Sequence, residues 1–147
     1  AALTAFLIGS ALGILTGGVI ADKVKKHQIV AILGVALASL VLVIIGGNFI
    51  SPYFVLPALA LSGFFSGITA PSRDMLVRKI TPPGASGRIF GFVYSGLDLG
   101  SSIMPLLAGT LMDGGKADMV FYSCALMFVI AIITVLKISD KSRSITV

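Results

Sequence analysis

Charge is scarce in this sequence. Charged residues make up 12% of its 147 residues, whereas hydrophobic types make up 56%, and the mean hydropathy is +1.06. A soluble domain of this size carries about a quarter charged residues. The scarcity excludes an ordinary soluble domain and indicates that lipid is the solvent.

Cysteine and histidine are nearly absent as well. Cys124 is the only cysteine and lies in an apolar run, so the chain has no disulfide framework and no paired thiolate site. We expect Cys124 to be a small buried hydrophobe. His27 is the only histidine, and its place beside two lysines at the edge of an apolar run predicts an interfacial ring rather than a metal ligand.

Enzyme signatures are missing too. The sequence has no histidine pair, no His-Glu-x-x-His, no Gly-x-Ser-x-Gly and only one acid deep inside an apolar run. A nucleophile with its base cannot be assembled from these residues. We therefore expect no enzyme activity, no cofactor and no metal, and a membrane-embedded enzyme is the weakest of the alternatives.

Long apolar runs dominate what is present. Each of five runs approaches the twenty residues that, at 1.5 Å rise, cross about 30 Å of hydrocarbon. The sequence therefore predicts an all-α membrane protein with five transmembrane helices. The runs cover about residues 2–21, 28–47, 52–71, 88–112 and 119–136.

Three of these runs carry further expectations. Gly9, Gly13 and Gly17 fall near one face of the first helix and let a neighbouring backbone approach closely. The second helix is nearly featureless Ala, Leu, Val and Ile, so we expect it to face lipid more than substrate. Pro71, near the end of the third run, is expected to bend or loosen that helix.

The basic residues alternate between the gaps. The gaps 22–27 and 72–87, Arg88 beside them and the tail 137–147 hold all but one of the eleven basic residues, and Lys116 is the exception. The positive-inside rule places these gaps and the tail in the cytoplasm. A pI near 9.7 could also suggest nucleic acid, but no basic cluster with interleaved aromatics is present, so we expect no nucleic-acid partner.

Asp98 lies about ten residues into the fourth run, where an ionised carboxylate costs at least about 2.5 kcal/mol. Helical spacing places it on one polar stripe with Tyr94, Ser101, Ser102 and Pro105, the last expected to kink the helix. Such a stripe lines a water-filled cavity in transporters. Asp98 is then a protonation site or a counter-charge for a cationic group on the substrate.

The alternative for Asp98 is structural. Its carboxylate would form a salt bridge or hydrogen bond with a helix outside this chain. Gly96 and Gly100 point away from the stripe and are expected to permit close packing there.

Residues 18–26, Gly-x-Ile-Ala-Asp-Lys-x-x-Lys, resemble the loop motif Gly-x-Leu-Ala-Asp-Arg-x-Gly-Arg-Arg of the major facilitator superfamily. The departure is Lys25, where the family has a second glycine. The run Pro-Ser-Arg-Asp at 71–74, the break Thr-Pro-Pro-Gly at 81–84 and the glycine-rich stretch 91–100 leading to Pro105 are similar to the same family. The resemblance covers nearly the whole chain.

The resemblance implies a twelve-helix transporter of which these spans are helices 8 to 12. Helix 7 and the N-terminal half, which would be partners of this chain, would lie outside it. The implied function is secondary active transport of a drug, organic anion or metabolite by alternating access, with protons as the coupling ion. The implied location is a bacterial inner (plasma) membrane with a cytoplasmic C-terminus. A non-transporting scaffold or sensor on the same fold is the main alternative.

The loop motif implies a gate at the inner face. Asp22 would pair with nearby cations or rest against the start of the fourth helix near Gly87 and Arg88, and either contact would hold that face shut. The alternative is that these charges only set topology in the headgroup region. The motif residues are Gly18, Asp22, Lys23 and Lys26, and the neighbouring charges are Arg73 and Arg78, with Asp74 expected to pair with Arg73 at the helix end.

Overall fold

The computed structural model describes residues 2–24 and 26–144, and the side chains of 2–24, 26–79 and 81–136. Within these ranges the chain forms five helices, each long and apolar enough to cross a membrane. The expected all-α fold is confirmed. Lys25 lies outside the described residues. The helices are α1 (Ala2–Lys23), α2 (His27–Gly46), α3 (Pro52–Ile80), α4 (Ser86–Asp113) and α5 (Ala117–Ser144).

Two helices continue well past the apolar runs. α3 passes through Pro57 and Pro71 and ends at Ile80, and α5 continues to Ser144. A proline removes its own N–H and crowds one preceding carbonyl, but the residues after it still make helical hydrogen bonds. Arg73, Asp74 and Arg78, expected in a loop, therefore lie on the last two turns of α3.

α1 and α3 run parallel with their backbones in close contact. Gly9, Gly13 and Gly17 are buried in α1. A Cβ built on Gly9 or Gly13 would overlap a carbonyl oxygen of α3, and one on Gly17 would lie 2.7 Å from the oxygen of Ile68. Gly63 and Gly67 of α3 meet the α1 backbone in the same way. The predicted close approach at the α1 glycines is confirmed.

α2 lies between α3 and α5, antiparallel to both. Ser62 Oγ of α3 donates to the Ala38 carbonyl at 3.4 Å, and Ser39 Oγ of α2 donates to the Ala125 carbonyl at 3.3 Å. The sequence analysis did not predict this packed face, and the expectation that α2 faces lipid more than substrate stays a prediction. Its small residues share one face and allow two neighbours to approach, while the large residues of the other face are exposed. The buried set is His27, Ala31, Gly34, Ala38, Ser39, Leu42, Ile45 and Gly46.

α4 is the least packed of the described helices. None of its residues is buried, and it touches α5 and, more weakly, α3. A Cβ built on Gly96 or Gly100 would meet nothing within 4 Å. The close packing expected at these glycines is therefore not made by the described part of the chain.

Two adjacent glycines give a matched test of the α1–α3 contact. We expect Gly17→Ala to destabilise the protein by about 1–3 kcal/mol, because the new methyl group meets the backbone of Ile68. Gly18→Ala meets nothing within 4 Å and gains helix propensity, so it should be neutral or slightly stabilising. Thermal unfolding in detergent measures both, and equal midpoints for the two variants would contradict the packing.

Candidate functional site

A polar cluster joins α3 to α4. Asp74 Oδ1 accepts hydrogen bonds from Arg73 Nη2 at 3.1 Å and Arg73 Nε at 3.2 Å, and its Oδ2 accepts one from Tyr94 Oη at 3.1 Å. The Arg73 and Asp74 side chains are 39% and 38% exposed, so water can reach the pair. We call Arg73, Asp74 and Tyr94 the α3–α4 cluster.

The expected pair between Arg73 and Asp74 is present, but the contact with Tyr94 was missed. From the sequence, helical spacing assigns Tyr94 only to the polar stripe on its own helix. α3 and α4 are consecutive, so in an antiparallel pair residues at similar distances from their connection lie side by side. Asp74 lies six residues before the end of α3 and Tyr94 eight residues after the start of α4, and these distances could have predicted the contact. The Phe90 ring stacks on Tyr94, with centroids 6.2 Å apart, and helps to orient it.

The residues of the predicted stripe are exposed on a continuous helix, as are most of the α4 residues on its other sides. Asp98 lies twelve residues after Ser86, about 18 Å along the axis at 1.5 Å per residue. Ser101 Oγ and Ser102 Oγ donate to the backbone carbonyl of Asp98 at 2.9 and 2.8 Å. The serine hydroxyls thus bond to the backbone, and the Asp98 carboxylate makes no hydrogen bond or ion pair with any residue whose side chain is described.

Pro105 adds a further acceptor to this face. α4 continues through it without a break from Ser86 to Asp113. Because proline has no N–H, the carbonyl of Ser101 lacks its helical donor four residues on. That carbonyl therefore remains available to water or to a ligand beside Asp98.

The loop motif lies at the end of the bundle where α1 ends and α2 begins. Asp22 and Lys23 are exposed in the last turn of α1, and Lys26 is exposed just before α2. Among the described side chains, the ion pair found is Arg73 with Asp74, so Asp22 is not paired with Arg73 or Arg78 in this structure. Gly18 faces open space. The gating role of the motif stays a prediction.

His27 differs from the expected interfacial ring. It is 8% exposed, and its buried Nδ1 has no hydrogen-bond partner among the described residues. Ser72 of α3 is fully buried, and its Oγ also lacks a described partner. The packing of α2 between two helices buries its first residue, which the neighbouring lysines gave no reason to expect.

Comparison with known proteins places the chain in a family. Residues 1–146 match the profile of the Major Facilitator Superfamily, so the chain belongs to this family of membrane transporters and is an integral, multi-pass membrane protein. It is 28% identical over 143 residues to the fosmidomycin resistance protein of Escherichia coli (strain K12). That match covers 96% of this chain and 34% of the relative, so the chain spans about a third of the relative's length. No solved structure matches.

The hydrogen bond from Tyr94 to Asp74 can be tested by a double-mutant cycle. Tyr94→Phe should cost about 1 kcal/mol in the wild type, the usual net value of such a bond, and nearly nothing in an Asp74→Ala background. Thermal unfolding of the four proteins gives the coupling energy. Tyr53→Phe is the control, since Tyr53 is 90% exposed. Additive effects of the Tyr94 and Asp74 substitutions would contradict the contact.

Proposed function

We propose that this chain belongs to a secondary active transporter that moves a small molecule across the membrane by alternating access, with protons as the coupling ion. Membership of a transporter family supports the class of protein. The observation that carries the finer proposal is the uncovered polar face of α4, with the Asp98 carboxylate near the middle of that helix.

The position of Asp98 argues for a water-filled cavity beside α4. An ionised carboxylate exposed to hydrocarbon is costly, so such residues face a bundle interior or an aqueous path. Apart from the bond of Tyr94 to Asp74 of α3, the described helices do not cover this face. A cavity bordered by α4, and closed on its other side by protein beyond this chain, satisfies the carboxylate and provides a site near the bilayer midplane.

The chemistry of the face suits a proton and a polar substrate. Asp98 can take up and release a proton, or can pair with a cationic group of the substrate. The hydroxyl hydrogens of Ser101 and Ser102 are engaged with the backbone, so their oxygens present acceptor lone pairs. The substrate is of the drug, organic anion or metabolite class, and the resistance function in the relative's name supports a drug among these.

The proposal extends to gating and topology. In it, α1–α5 correspond to helices 8 to 12 of a twelve-helix bundle, and Asp22 with Lys23, Lys26, Arg73 or Arg78 closes the inner face in another conformational state. The exposed cations Lys23, Lys26, Arg78 and Arg88 all lie where α1 and α3 end and α2 and α4 begin. The positive-inside rule puts that end in the cytoplasm of a bacterial inner membrane.

A substitution at Asp98 tests the coupling role. In proteoliposomes containing the complete transporter, Asp98→Asn should lower proton-driven flux by about tenfold or more while substrate exchange continues, because exchange needs no net proton transfer. Asp113→Asn, which replaces an exposed acid at the C-terminal end of α4, is the control and should retain both activities. Unchanged proton-driven flux in Asp98→Asn would leave Asp98 structural.

Single cysteines test the proposed sidedness. In a Cys124→Ala background, a cysteine at Pro83 should react with an impermeant maleimide only from the cytoplasm, and one at Lys116 only from outside, since both positions are exposed in connections at opposite ends of the bundle. Labelling of intact cells and of inverted vesicles measures this. Reaction of both positions from the same side would overturn the topology.

A further inference from the structure

An apolar groove lies between α2, α3 and α5, close to the end where α2 begins. Its volume is about 110 Å³, and it is partly open to the outside of the described chain. An apolar cavity of similar size, about 150 Å³, stays dry in a protein and accepts a hydrocarbon ligand. The lining includes Ala31 and Val35 of α2, Leu76 and Arg73 of α3, and Ala131 and Val135 of α5.

Hydrogen bonds between α2 and α5 lie on both sides of this groove along the helix axes. Towards the far end of α2, Ser39 Oγ bonds to the Ala125 carbonyl at 3.3 Å, and towards its start Gln28 Nε2 bonds to the Val135 carbonyl at 3.5 Å. These two bonds hold α2 against α5 at either end of the groove. Between them the small side chains of Ala31 and Ala131 leave the space unfilled.

Arg73 is the charged residue among those that line the groove. Its Nε and Nη2 bond to Asp74, but its Nη1 makes no hydrogen bond with a described residue. Arg78, five residues further along α3, is exposed at the same end of the bundle. The groove therefore combines hydrocarbon walls with a guanidinium that has a donor to spare.

We propose that this groove binds a short segment of one acyl chain of an anionic phospholipid, with Arg73 Nη1 donating to the phosphate. The apolar walls favour a thin hydrocarbon ligand, and the guanidinium favours a negatively charged group beside it. A phospholipid of the adjacent leaflet has both, and interhelical pockets with basic residues at a membrane surface bind such headgroups. This site lies between α2, α3 and α5 and does not depend on the role proposed for Asp98.

Lipid retention by the complete protein tests the proposal. Native mass spectrometry after exchange into phosphatidylglycerol or phosphatidylcholine of the same chains should show phosphatidylglycerol retained about tenfold more strongly. Ala131→Phe fills the groove and should abolish retention, and Arg73→Gln should remove the preference between headgroups. The controls are Ala11→Phe on the exposed side of α1 and Arg88→Gln at the same end, and both should bind as the wild type does.

A second measurement needs no substitution. Phosphatidylglycerol with a photoreactive acyl chain should cross-link to the wild-type protein around Ala131 on α5 and Leu76 on α3. Cross-links confined to exposed apolar positions such as Leu40 or Phe92 would overturn the proposal. Equal retention of the two lipids, or unchanged retention in Ala131→Phe, would overturn it as well.

Discussion

Helix association in this protein depends on how closely one backbone can approach another. In lipid, apolar side chains gain little by leaving their surroundings, so packing and hydrogen bonds hold helices together. The α1–α3 contact shows the consequence, because glycines on both helices face carbonyl groups with no side chain between them. On α2, buried alanine, glycine and serine residues allow the same close approach of neighbouring helices. Most large apolar side chains are left exposed on the outside of these helices.

This constraint explains what the sequence could and could not predict. The number and type of elements follow from the length of the apolar runs, and the α1 contact follows from glycines at a spacing of four. The burial of α2 was missed because hydrophobicity alone does not separate small from large residues. Sorting Ala31, Gly34 and Ala38 from Leu33 and Leu37 would have found the packed face. The predicted third run ends at Pro71, where proline was expected to bend or loosen the helix, whereas α3 continues to Ile80.

At the candidate site, the sequence likewise predicted some features and not others. The stripe on α4 was predictable because a helix fixes which residues share a face. Tyr94 was assigned to that stripe alone, although its hydroxyl crosses to Asp74 on another helix. His27, whose Nδ1 has no partner among the described residues, is buried by packing between elements, which no local pattern encodes. Contacts within one helix were thus accessible from sequence, and contacts between helices largely were not.

Asp74 connects the two polar regions of this structure. One oxygen holds Arg73, which borders the α2–α3–α5 groove, and the other holds Tyr94, on the helix that carries Asp98. Within the described chain α4 contacts α5 and, more weakly, α3, and this carboxylate forms a side-chain hydrogen bond between α3 and α4. An anion that draws the guanidinium of Arg73 away would change the charge balance at Asp74 and hence the strength of the bond to Tyr94. In the lipid proposal, an anion bound at Arg73 would therefore act on the bond that links α3 to α4.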